Sequence, residues 1–354
     1  MTNKLTQWVI DKIEKNYGDD IDLLIGIQGH SIDGDQHGVC FDFFVPATER
    51  GCELTQTFII DGVGHDLYPR SWERLENSVA LNDMCLLLDQ ATILWAKDDE
   101  AVQRFEDCRH RMWEHLKDDS YVYGKALECM DKALEIYRSV IFEEKIYRVR
   151  SEINCIHEYL SKAVAFLNHT YAESAIFTEA QAYNDSIDGR LYYCPEMKIV
   201  PDGFFTYARV LLEVTDVEQL KTAIFALLKT TREFILARKP VENCDAKTEV
   251  DYSAFLEWYQ EMSLTWKRLR YFCNNNMVEE AYTDACYLQE EFLYIAQDFK
   301  MEELNLLDSF NPKNLSLLKN RADQLEKIIL NVFKDQNIQL KSFTDVDEFL
   351  NAQN

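Results

Sequence analysis

Basic residues are scarce in this sequence of 354 residues. It contains 37 lysines and arginines but 62 aspartates and glutamates, so the formal net charge is −25. A chain this acidic repels the phosphates of nucleic acids and anionic lipid surfaces unless a local basic patch overrides its field. The longest basic clusters, at 109–111 and 267–270, are short and lie among acidic and aromatic residues. We therefore do not expect a nucleic acid to be the principal partner.

Two further features are missing, namely paired cysteines and long apolar runs. None of the ten cysteines forms a Cys-x-x-Cys pair, and no uninterrupted run of 18 apolar residues occurs. Cysteines so scattered along a long chain are typical of reduced thiols, and a membrane-spanning helix needs about 20 apolar residues. The first residues also contain no long apolar run of the kind found in a secretory signal. We expect a cytoplasmic protein with no membrane segment.

Glycine is rare and unevenly placed, because eight of the 11 glycines precede residue 65. Between them lie short runs rich in β-branched and aromatic residues, which predict a small sheet. A helical spacing of apolar residues ahead of them predicts an opening helix that ends near Gly18. The expected strands are 21–27, 39–45, 55–60 and 65–68, with one further strand within 86–96.

Beyond residue 70 the pattern is almost wholly helical. Ser71 can cap one helix, and another is expected to begin near Asp98 or Asp99. The strongest apolar stripe runs from Ile146 to Leu167 in steps of three and four, which predicts a central helix with one fully buried side. Similar stripes predict helices over 220–234, 255–269 and 277–299, with loops near 184–203 and at 239–240. The fold class predicted is α+β, with a mixed sheet followed by a helical bundle.

The usual nucleotide-binding signatures are absent. The sequence contains neither Gly-x-x-x-x-Gly-Lys-Ser/Thr nor Gly-x-Gly-x-x-Gly after a strand. Polar residues are instead concentrated at Gly29-His30-Ser31 and on two predicted strands, which carry Asp42 and Asp66. Neighbouring strands can bring such carboxylates to one face, where they can hold Mg²⁺ against a nucleoside triphosphate. Each aspartate also has a plainer interpretation, as a residue at a strand end or a turn.

These motifs resemble the nucleotidyltransferase superfamily, which includes DNA polymerase beta and the aminoglycoside and lincosamide nucleotidyltransferases. In that family a strand leads to Gly-Ser, and the next strand carries Asp-x-Asp. Gly29 and Ser31 stand at the Gly-Ser motif, separated by the extra residue His30. The Asp-x-Asp run aligns with Cys40 to Val45, so that Cys40 replaces the first aspartate and Asp42 matches the second.

The segment that begins at His65 is similar to the family's third-carboxylate strand, with Asp66 as the preferred third carboxylate and Asp61 as the less favoured one. The resemblance implies a nucleotidyltransferase-like domain over 1–118 and a helical domain over 119–354. It further implies transfer of a nucleoside monophosphate from a triphosphate to a hydroxyl of a small molecule. Gly29 and Ser31 would then bind nucleotide, with Mg²⁺ held by Asp42 and Asp66.

Cys40 leaves a second interpretation open. A thiol is a poor ligand for Mg²⁺, which prefers hard oxygen donors. The chain is then a nucleotidyltransferase fold that has lost catalysis and binds a nucleotide or a protein partner. Asp33 and Asp35, in the loop after Ser31, are alternative sources of the missing carboxylate.

Two rival sites carry less weight. One is a zinc site, because the histidines and cysteines at 30, 37, 40, 52 and 65 lie within 36 residues and His37-x-x-Cys40 has ligand-like spacing, but the second pair is badly spaced. The other is the segment from Arg109 to His115, which loosely resembles the Arg-x4-6-His motif of HEPN ribonucleases. An acidic protein and a helical setting favour a solvated helix face there instead.

Overall fold

The computed structural model describes residues 4–27, 40–60, 62–172, 192–240, 251–299, 301–302 and 304–352. The chain divides into two compact units, residues 1–242 and residues 243–354. The first contains the sheet and the helices that surround it, and the second is helical.

A five-stranded mixed sheet lies in the first unit, in the order β3-β4-β2-β1-β5. β2 and β4 run parallel, whereas the other neighbouring strands are antiparallel. The α+β fold class is thereby confirmed, and the first four strands lie close to their predicted bounds. The strands are β1 (Ile21–Ile27), β2 (Cys40–Pro46), β3 (Gln56–Ile60), β4 (Val63–Pro69) and β5 (Ala91–Ala96).

Helices cover both faces of this sheet. Helix α1 (Lys4–Asn16) packs on one face, where Val9 and Ile13 join a buried cluster with residues of β1, β2 and β4. The other face is covered by a second buried cluster, which includes residues of α2 (Trp72–Val79), α3 (Leu86–Asp89) and α4 (Asp99–Lys117).

The predicted cap at Ser71 is present, and the helix expected to begin near Asp98 or Asp99 begins at Asp99 with Asp98 as its cap. The hydroxyl of Ser71 accepts a hydrogen bond from the amide of Arg74 at 3.2 Å, and the carboxylate of Asp98 accepts one from the amide of Ala101 at 2.9 Å. The predicted strand within 86–96 is shorter than expected, because residues 86–89 form α3 and only 91–96 extend as β5. The three leucines of α3 are buried, and a short apolar run does not distinguish a buried helical turn from a strand.

The rest of the first unit is helical around its own core. Helix α6 is central to it, with ten buried residues and extensive packing against α5 and α8. Six of the eight residues of the predicted stripe are among those ten, and the two at its ends, Ile146 and Leu167, are not. The predicted domain boundary after residue 118 lies at the N-cap of α5, inside this unit. The helices are α5 (Asp119–Phe142), α6 (Ile146–Phe166), α7 (Phe204–Glu213) and α8 (Val217–Leu236).

The second unit builds a separate core from long helices. Phe255, Trp266, Phe292 and Phe333 are among its largest buried side chains. In the parts of the chain that the structure describes, no helix combines the length and the apolar character needed to cross a bilayer. The helices are α9 (Tyr252–Asn274), α10 (Val278–Asp298), α11 (Ser316–Asp335) and α12 (Val346–Ala352).

Candidate functional site

The two predicted carboxylates lie on neighbouring strands. Asp42 is in β2 and Asp66 is in β4, and these strands pair in parallel with Phe43 opposite Tyr68. Asp42 is half-buried, whereas Asp66 is exposed. The structure therefore brings together the two residues that sequence analysis proposed as a pair.

A β-bulge sits at Asp42. Ile25 of β1 pairs with Phe43, and the next residue, Gly26, pairs with Phe41, so Asp42 is an extra residue in β2. The bulge explains why Phe41 and Phe43 belong to the buried clusters on opposite faces of the sheet, although regular alternation would place them on one face. Bulges of this kind redirect a side chain and are common next to active sites.

Asp66, Tyr68 and Arg70 follow one another at every second position of β4 and its end, so they share a face of the sheet. The Tyr68 hydroxyl donates a hydrogen bond to Asp42 Oδ2 at 3.2 Å. Asp66 accepts a bond from the Thr57 hydroxyl at 2.9 Å, across the β3–β4 pair. Tyr68 thus connects the line of polar residues on β4 to Asp42 on β2.

The pKa of Asp42 is shifted by its burial and by the neighbouring side chains of β4 and its end. Burial raises the pKa of the Asp42 carboxyl, the Tyr68 hydrogen bond and the Arg70 charge oppose that shift, and the charge of Asp66 adds to it. Burial, followed by the charge of Asp42, also raises the pKa of Tyr68, so the phenol remains a hydrogen-bond donor at neutral pH. Asp42 is therefore a partly desolvated carboxylate that a nearby cation would stabilise.

Arg70 anchors the end of β4 beneath this site. Its side chain is only 4% exposed, and its guanidinium pairs with Asp83 at 2.6 Å. Its backbone amide donates to the carbonyl of Phe44 at 2.8 Å, which extends the β2–β4 pairing by one residue. Arg70 Nε is buried and has no hydrogen-bond partner in the described part of the chain. Arg70 is therefore a buried positive charge close to Asp42, and Asp83 is the carboxylate that pairs with it.

Other candidates from sequence analysis are not placed at the site. Gly29, Ser31, Asp33 and Asp35 lie outside the described residues, as does Asp61. Cys40 is the first residue of β2, and its backbone pairs with Ile27. The assignments made for these residues stay predictions.

The donor set suits a hard cation in part. Carboxylate oxygens are what Mg²⁺ prefers, and both Asp42 and Asp66 supply them on adjacent strands. Among the described residues, however, no group of three or more histidine, cysteine or acidic side chains is arranged to hold a metal ion. The two carboxylates fit two positions of a metal site, and further ligands would come from other groups or from substrate.

The residues of the two rival sites have structural contacts. Arg109 donates to the carbonyls of Leu88 at 2.7 Å and Ala91 at 2.8 Å, which ties α4 to the turn before β5. His115 bonds the carbonyl of Val79 and stacks on Tyr121. These contacts give both members of the ribonuclease-like pair a role in packing.

The zinc candidates are not brought together by the described residues. His65 stacks on Phe58 with ring centroids 5.4 Å apart, and Cys52 is exposed. His30 and His37 lie outside the described residues.

Sequence analysis missed Tyr68 and Arg70 as parts of the site. The signal was present, because Tyr68 and Arg70 continue the two-residue period that starts at Asp66. Their partners could not be found in the same way, since Asp42 and Asp83 come from other elements.

Comparisons with known proteins give little that is specific. The chain matches no family model and no curated protein. Among solved structures, it is similar to a nucleotidyltransferase-like protein from Exiguobacterium sibiricum 255-15, with 13% identity over 66% of this chain and 76% of that chain and a TM-score of 0.34. Because the TM-score is so low, this likeness assigns neither a fold nor an activity to the chain.

Proposed function

We propose that this chain is a nucleotidyltransferase-like protein that transfers a nucleoside monophosphate from a triphosphate to a hydroxyl of a small molecule. The observation that supports this most is the pairing of Asp42 and Asp66 on adjacent strands, near enough for the charge of Asp66 to raise the pKa of Asp42. The motif resemblance described above is what connects that pair to nucleotidyl transfer.

In this proposal Asp42 and Asp66 hold Mg²⁺, which when bound neutralises phosphate charge and aligns the attacking hydroxyl. Tyr68 orients the Asp42 carboxylate by donating to Oδ2. That bond leaves Oδ1 as the oxygen that can turn toward a ligand. The positive charge of Arg70 favours the ionised form of Asp42, which is the form that can bind a cation.

A second function belongs to a different class, a nucleotidyltransferase-like module that binds a nucleotide or a protein partner without turnover. Two observations favour it: Cys40 stands where the family has its first metal-binding aspartate, and the described residues hold no complete metal cluster. A carboxylate pair with one ligand missing would bind a metal–triphosphate complex weakly.

The two functions are separated by purified protein, Mg²⁺ or Mn²⁺, and radiolabelled nucleoside triphosphates. The enzyme proposal expects transfer to a hydroxyl compound by the wild-type chain and its loss in Asp42→Asn and Asp66→Asn. The matched control is Asp107→Asn, which makes the same change of charge at an exposed position of α4. Transfer that persists in both site variants would refute the assignment of these carboxylates.

The binding-module function expects no turnover but measurable binding of the metal–triphosphate complex, tighter in Cys40→Asp because a hard oxygen ligand is restored. Asp42→Asn should weaken that binding in either background. Absence of binding in both the wild type and Cys40→Asp would contradict the enzyme proposal and nucleotide binding by the module, and would favour a role in protein binding alone.

A further inference from the structure

A small cavity of about 310 Å³ lies at one end of the helical part of the first unit, away from the sheet strands that carry Asp42 and Asp66. It is bounded by the beginning of α5, the segment just after α6 and the segment just after α8. Its lining consists of Asp119, Val122, Leu167, His169, Arg238, Lys239 and Pro240. Three of these seven side chains are basic, which is unusual in a chain whose net charge is −25.

Arg238 is held in place by an aromatic ring and a backbone carbonyl. Its guanidinium lies over the ring of Phe234, 3.4 Å from the centroid, and Nη1 donates to the Phe234 carbonyl at 3.0 Å. Partial burial lowers the pKa of this guanidinium. In the described residues no acidic side chain forms an ion pair with Arg238 or with Lys239. A partly desolvated cation of this kind is stabilised when an anion binds beside it.

His169 presents one defined ring nitrogen toward the same cavity. Its Nδ1 lies 2.8 Å from the carbonyl of Leu116, so Nδ1 must carry the hydrogen. The other ring nitrogen, Nε2, lies 3.4 Å from Asp119 Oδ1. His169 is therefore a third polar side chain, beside Arg238 and Lys239, in the lining of the cavity.

The acidic residues nearby offset this charge only in part. The Asp119 side chain is 79% exposed, so it can turn into solvent. Asp118 caps α5, where its carboxylate accepts from the amides of Ser120 at 2.9 Å and Tyr121 at 3.0 Å. The Asp118 carboxylate is thus engaged in capping α5. Among the described residues that line the cavity, the two cations Arg238 and Lys239 outnumber the one carboxylate, Asp119.

We propose that this cavity binds a small anion that carries a phosphate group, with the phosphate against Arg238 and Lys239 and beside His169. Val122, Leu167 and Pro240 provide an apolar surface for an organic part of the ligand. Guanidinium and ammonium groups are the usual partners of phosphate oxygens, and charge-assisted bonds of this kind are stronger than neutral ones. The site is independent of Asp42 and Asp66 and therefore of the transferase proposal.

Isothermal titration calorimetry of the full chain tests this proposal, with inorganic phosphate, pyrophosphate and adenosine monophosphate as probes. We expect binding that weakens as sodium chloride is raised, and a loss of roughly tenfold or more in affinity for Arg238→Ala and Lys239→Ala, as removal of a charge-assisted bond predicts. Arg238→Lys, which keeps the charge, should retain part of the affinity. The matched control, Arg232→Ala on the exposed side of α8, should bind as the wild type does.

The outcomes distinguish the source of the phosphate. Tighter binding of the monophosphate than of inorganic phosphate would identify an organic phosphate, and equal affinities would identify the free anion. If Arg238→Ala does not fold, Lys239→Ala decides, because Lys239 is exposed and its truncation should leave the fold intact. The proposal is overturned if no probe binds, or if every variant binds as the wild type does. Asp42→Asn should leave binding at this cavity unchanged, so that failure of the transferase proposal is recognised separately.

Discussion

Arg70 shows at the scale of one residue how the candidate site depends on a buried charge. It is placed by three contacts: its backbone amide on the Phe44 carbonyl, its guanidinium on Asp83, and its position over the Phe43 ring, 5.7 Å from the centroid. Removing one partner from a buried pair leaves the other charge without compensation, which costs more than the pair itself contributes.

We expect Asp83→Asn to lower the free energy of unfolding by about 3 kcal/mol, since Arg70 would remain buried without a carboxylate. Urea unfolding followed by circular dichroism measures this loss. Asp83 also lies 3.7 Å from Arg74, which is half exposed, so Arg74→Met serves as the control and should cost less than about 1 kcal/mol. Equal losses in the two variants would show that the buried Arg70–Asp83 pair stabilises the fold no more than the exposed Arg74 contact does.

At the scale of secondary-structure elements, the pattern of residues predicted most of what the structure has. Alternating β-formers between glycines located the first four strands, and the stripe from Ile146 located α6, because both signals depend only on neighbours along the chain. The bulge at Asp42 could not be predicted, since it arises from the register between β1 and β2. The hydrogen bond from Tyr68 to Asp42 likewise depends on the parallel pairing of β2 with β4, and the sequence of neither strand by itself predicts that pairing.

Helix α6 offers the sharpest test at this scale. Leu160 is fully buried among α5, α6 and α8. We expect Leu160→Asp to be unfolded or insoluble, because an unpaired charge in an apolar core costs several kcal/mol, which is comparable to the stability margin of a whole domain. Ser151→Asp, at an exposed position of the same helix, is the control and should melt as the wild type does. A normal melting curve for Leu160→Asp would contradict the central position of α6.

At the scale of the whole molecule, stability should depend on pH through one buried imidazole. His157 lies on α6 at 3% exposure against Tyr192 and Phe204, and Nε2 has no hydrogen-bond partner among the described residues. Burial lowers the pKa of His157 to about 4. The unfolded chain binds this proton at a higher pH than the folded chain does, so acid favours unfolding.

The contribution of His157 is fully present above about pH 6.5 and is lost as the pH falls toward 4, with a total of about 3 kcal/mol. Urea unfolding of the wild type and of His157→Leu, compared at several pH values, isolates this contribution from that of the carboxylates. As the pH falls from about 6.5 to about 4, the free energy of unfolding of the wild type should decrease steadily relative to that of His157→Leu. A difference that is independent of pH would show that the pKa of His157 is the same in the folded and unfolded states, which would contradict the effect of burial.

The position of β1 between β2 and β5 also governs the order in which the sheet can be completed during synthesis. β1 and β2 are close in sequence, whereas the other edge of β1 is covered only when Ala91 pairs with Ile27 and Ala96 with Leu23. Until residue 96 has left the ribosome, the nascent chain keeps an apolar strand with an unpaired edge, the kind of surface that chaperones protect. A ribosome pause before that point would therefore prolong the aggregation-prone stage, and a pause after it would not.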